Sequence, residues 1–90
     1  MRDSTWLARS PCMAAVEAGD CLCVALGETL LVLTADAAAV VRRLLDEPMP
    51  LAQLAERGGW EPHDIARLVE ALVDEGFVIT LNERKGTFSR

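Results

Sequence analysis

Leu30, Leu31, Val32 and Leu33 are apolar without a break, and one residue later the hydrophobic period changes from that of a strand to that of a helix. Alternate side chains of a strand point to opposite faces, so a run of this kind makes both faces apolar. Helices that follow so closely are placed to cover one of them. What covers the other face, and the edge of the strand, is the question this chain poses.

The segments before the run are also strand-sized. Residues 12–17 and 21–26 are short and apolar, and Ala18, Gly19 and Asp20 separate them in the manner of a hairpin. Gly27 turns the chain into a third strand over residues 29–33. Connections this short favour an antiparallel meander with the third strand at an edge. A turn at Ala18 and Gly19 sets Val16 against Cys21, Ala14 against Cys23 and Cys12 against Ala25. No disulfide follows from that pairing, and three buried thiols in a reducing cytosol are expected. Residues 1–11, with a lone Trp6, read as a flexible arm.

After the run, Thr34 is placed to cap a helix with its hydroxyl, and Asp36 suits the positive end of the helix dipole. Ala37, Val41, Leu44 and Leu45 share one stripe of this helix, and Pro48 stops it. A second helix starts near Pro50, turns Leu51, Leu54 and Ala55 inward, and ends at Gly58 and Gly59. The third, over residues 62–75, repeats Ile65, Leu68, Val69 and Leu72 at helical spacing, with Ala66 and Val73 widening the stripe to one side. Gly76 follows its last turn. Residues 77–81 return to a strand, and residues 82–90 form a wing turn or a frayed tail. The expected fold is α+β: a three-stranded antiparallel sheet followed by a three-helix bundle, one winged helix-turn-helix-like domain over residues 12–81.

Composition narrows the function. The formal net charge is −5 and the sequence pI about 4.7, which disfavours nucleic acid because phosphate neutralisation needs clustered Lys and Arg. The outward positions of the third helix are His63, Asp64, Arg67, Glu70, Asp74 and Glu75, a poor face for a DNA groove. Ninety residues leave no room for a cleft between lobes. There is no nucleophile and base pairing, no phosphate loop and no metal-ligand spacing, with His63 the single histidine. No catalytic residue, metal or cofactor is expected. No apolar run is long enough to span a bilayer, and no signal peptide opens the chain, so a cytoplasmic location is expected.

An apolar edge strand is usually blunted by charge or proline, and residues 29–33 contain neither. The arm or the last strand could cover this edge, a second copy could occupy it in a homodimer, or an extended peptide could add to it as a further strand.

Residues 31–56, LVLTADAAAVVRRLLDEPMPLAQLAE, resemble the PqqD-like family, the recognition domains for precursor peptides in ribosomal peptide natural-product pathways. The shared pattern is an apolar strand ending in a polar residue, an alanine-containing helix start, Leu44-Leu45-Asp46, a second helix of LAQLAE type and a long third helix. The resemblance covers roughly residues 12–80 and implies a non-catalytic module. In that family a leader segment adds beside the third strand along a groove walled by the third helix, and is delivered to a modifying enzyme. Carried over by position, the strand would be Thr29, Leu30, Leu31, Val32 and Leu33, and the wall Ala66, Glu70 and Val73. The implied partners are a leader peptide and a modifying enzyme or protease of the same pathway. Thr34 stands where members often have Asn, and Val40 and Val41 where an aromatic is common. The alternatives are a winged-helix DNA-binding regulator and a winged-helix assembly domain of the kind appended to cupin-type oxygenases.

Overall fold

Two tight turns, each opening with a glycine, build the first sheet. A computed structural model describes residues 2–81: β1 (Trp6–Arg9), β2 (Ala14–Ala18), β3 (Cys21–Leu26), β4 (Thr29–Leu33), α1 (Ala35–Asp46), β5 (Met49–Pro50), α2 (Leu51–Gly58), α3 (Pro62–Asp74) and β6 (Val78–Leu81). The chain is α+β, with an antiparallel sheet β2-β3-β4 followed by three helices. Gly19 and Gly27 take φ of +66° and +60° at the first position of the two-residue hairpin loops, where a side chain would be strained.

The first hairpin is shifted from the sequence expectation. Ala18 pairs with Cys21, so the loop is Gly19–Asp20, and Val16 lies opposite Cys23 and Ala14 opposite Ala25. The turn forms where glycine takes the first loop position, which carries the positive φ, and that moves every partner by two residues. Faces are preserved because the strand period is two. The thiols are all free, but they are not buried: Cys12 is exposed, and Cys21 and Cys23 are half-buried.

The largest departure is at the N-terminus. Residues 6–9, expected in a flexible arm, form the middle strand of a second sheet, β5-β1-β6. Leu7 is fully buried and pairs with Met49 on one side and Thr80 on the other. The amides of Leu51 and Ala52 donate to the carbonyls of Thr5 and Asp3, which ties the start of α2 to the arm. The expected strand at residues 77–81 is present as β6, but it pairs with β1. Residues 82–90, expected as wing turn or tail, lie outside the described residues.

The core lies between the sheets and the helices. Leu22, Val24 and Leu33 enter it from one sheet, Leu7 and Val78 from the other, and Val40, Val41, Leu44, Leu54, Val69 and Phe77 from the helical layer and its last turn. Val41, Leu44, Leu54 and Val69 lie on the stripes expected from the helical period, whereas Ala38 and Val40 are buried as well and the expected Ala37, Leu45 and Leu68 are only half-buried. Thr34 occupies the N-cap position of α1, but its side chain makes no capping hydrogen bond. Ala35, the first residue of that helix, is held at φ +51°, a left-handed conformation that a Cβ disfavours. Among the described residues no helix is long and apolar enough to cross a membrane.

Candidate functional site

Among the described residues β4 pairs with β3 on one side and with nothing on the other. Its side chains divide as the pleat requires. Leu33 and Leu31 turn inward, buried and half-buried, while Leu30 and Val32 stand 69% and 59% exposed. Thr29 opens the strand and is exposed. Across the sheet, Val32 is in line with Cys23 and Val16, and Leu30 with Ala25 and Ala14. The outer face is therefore apolar from edge to edge, and Val16 adds a further side chain at 65% exposure.

The two ends of the third helix approach segments that adjoin this strand. At its start, the indole Nε1 of Trp60 donates to Asp36 Oδ1 at 3.1 Å, three residues past the end of β4. At its finish, Gly76 lies so close to Leu26 that an added Cβ would sit 2.9 Å from the Leu26 Cδ2 atom, and Leu26 pairs with Thr29 at the start of β4. The two elements match in reach, about 20 Å for the helix and about 17 Å for the strand. These two contacts bring the segments at either end of α3 to the segments that adjoin β4, Asp36 beyond its end and Leu26 opposite its start.

The hollows beside α3 involve its two flanks separately. A cavity of about 300 Å³ is lined by Asp36, Trp60, Glu61, Asp64, Ile65 and Leu68. Ala66 lines a different hollow, with Asp3 and Leu51. Glu70 and Val73 follow Ala66 at four and seven residues and share its stripe. Ala66, Glu70 and Val73 are therefore on the opposite flank of the helix. The expected strand residues 29–33 form β4, and the expected wall residues Ala66, Glu70 and Val73 share one flank of α3. The apolar pattern defined the buried centre of α3 and left its two flanks equivalent. Only the positions of Asp36 and Asp3, remote in sequence, tell them apart.

The other edge of the sheet is braced. Arg42 on α1 forms a fork with Glu17 on β2, Nε to Oε2 at 2.8 Å and Nη2 to Oε1 at 2.8 Å. These hydrogen bonds, aided by the nearby positive charge, hold the Glu17 carboxyl below its ordinary range. Among the described residues no group of three His, Cys, Asp or Glu side chains is arranged to hold a metal ion. The chain matches no family model and no curated protein.

Proposed function

We propose that this protein is a non-catalytic peptide-binding module that takes the leader segment of a ribosomal precursor peptide onto β4 as an added strand and delivers it to a modifying enzyme or protease of the same pathway. The observation that carries this reading is the apolar β4, unpaired on its far side among the described residues. Main-chain hydrogen bonds supply affinity in strand addition, and the pockets beside the strand supply selection. The PqqD-like resemblance and the winged-helix-like order of α2, α3 and β6 agree with this reading. So does the acidic outward face of α3, where Asp64, Asp74 and Glu75 are exposed and would repel nucleic acid. The proposed setting is the cytoplasm.

Amide exchange tests it directly on the full chain. Outward amides of residues 29–33 are expected to exchange rapidly in the free protein and to become protected when a cognate leader is added. Amides of β4 that are all protected in the free monomer would end the strand-addition mechanism. One observation favours a second reading: the apolar outer face carrying Val16, Leu30 and Val32 suits a homodimer. Light scattering at micromolar concentration decides it, a monomeric mass removing the dimer.

A further inference from the structure

The open edge of β4 is complementary to itself. Leu31 and Leu33 turn inward, opposite Val24 and Leu22 of β3, while Leu30 and Val32 turn outward, opposite Ala25 and Cys23. Two such strands can pair antiparallel about a twofold axis through Leu31. Leu30 then lies against Val32 of the second copy, and Thr29 against Leu33 of the second copy. Directly opposed residues point to the same face, so outward apolar side chains meet outward ones and all five residues of the strand are paired. Moving the axis by half a residue would turn one inner face outward, and moving it by a whole residue would shorten the pairing. Charge does not oppose this register. Glu28, the nearest carboxylate, comes opposite Thr34 of the second copy rather than another acid.

The assembly also closes. Like edges joined about a twofold leave no further β4 exposed, whereas β4 on β2 would propagate into an open chain of copies. The β2 edges that remain free each carry Glu17 in its fork with Arg42, and a charge blunts an edge. The contact is a strip of about 17 Å by one strand spacing of about 5 Å. A stable interface takes about 800 Å² from each partner, so this one is weak and displaceable. We propose that, with no leader bound, β4 pairs with β4 of a second copy in this register, and that a leader competes for the same outward amides. The inference rests on the same open edge as strand addition and adds regulation by the protein's own concentration: the apolar edge is shielded until a better strand arrives.

Sedimentation and amide exchange of the full chain from about 10 μM to about 1 mM test it. The mass is expected to rise from monomer toward dimer, with exchange of the outward β4 amides slowed roughly threefold at the upper end. Paired substitutions at Leu30 and Val32, both more than half exposed, read the register. Leu30→Lys with Val32→Lys sets lysine against lysine twice and is expected to abolish pairing. Leu30→Lys with Val32→Glu sets lysine against glutamate and is expected to retain it. Equal association of the two variants would overturn the register. A capped peptide copying residues 28–34 is expected to return the mass to monomer while β4 amides stay protected. A dimer that persists with that peptide on β4 would put the interface elsewhere and overturn the proposal. A chain monomeric throughout the range, whose β4 amides are nonetheless protected by leader segments, would overturn self-pairing and leave strand addition standing. Self-pairing in a chain that no leader segment protects would keep this inference and remove strand addition.

Discussion

The two edges of the β2-β3-β4 sheet face the same solvent and are finished differently. On β2, the Glu17 carboxylate is held by the Arg42 fork, and the same guanidinium reaches the Asp20 carbonyl at 3.4 Å, so α1 braces that edge and its turn. On β4 no residue from Thr29 to Leu33 is charged, and its outward side chains are leucine and valine. Both strands lack a backbone partner on their far side among the described residues, so the difference lies in their side chains. A charge guards β2 and none guards β4, which is the asymmetry that the proposed strand addition requires.

Proline substitution tests this contrast with the largest expected effect. Successive residues in an antiparallel ladder present their amides alternately to either side, so one of Leu31→Pro and Val32→Pro removes an outward amide and spares the β3 ladder. That folded variant is expected to lose leader affinity by roughly 100-fold, because the added strand loses an amide donor and meets the proline ring. The equivalent pair on β2, Ala15→Pro and Val16→Pro, should yield a folded variant that binds as the parent does. Equal losses from both edges, measured by Trp60 emission and amide exchange, would break the comparison.

The inner and outer sides of the sheet give the next largest effect. Leu33→Ala, at a side chain 8% exposed, is expected to cost about 2–4 kcal/mol in urea unfolding. Val16→Ala, at 65% exposure, should stay within about 0.5 kcal/mol. A smaller gain is expected where β4 meets α1: Ala35→Gly relieves the φ of +51° and should raise stability by about 1 kcal/mol in the same assay.

The smallest effect is the pH dependence of the braced edge. Arg42 lowers the Glu17 pKa in the folded chain from an ordinary value of 4.5, so the pair stabilises fully above that value. Its contribution is lost as pH falls through the lowered folded value. Thermal midpoints of the parent and Glu17→Gln should therefore differ at neutral pH and converge in acid. Midpoints that stay apart in acid would remove the ion pair as the cause.

Local pattern carried the reading of the fold a long way. The three hairpin strands, the helical stripes through Val41, Leu54 and Val69, and the edge position of β4 follow from periods of two and 3.6 and from glycine and proline punctuation. The part that escaped is non-local. β1 has only four residues, and its partners lie some forty and seventy positions away, so no window of sequence contains the pairing of Leu7 with Met49 and Thr80. The candidate site follows the same division. Residues 29–33 were visible as a strand without guards, whereas the contact between Trp60 and Asp36 joins residues 24 positions apart.

The central place of β1 also has a consequence for biosynthesis. Its register with Val78–Leu81 cannot close until residue 81 has left the ribosome, while the β2-β3-β4 hairpins can form once residue 33 has emerged. The meander and its oily exterior thus emerge early, and the strand that locks the opposite side of the molecule waits for the last partner to be made.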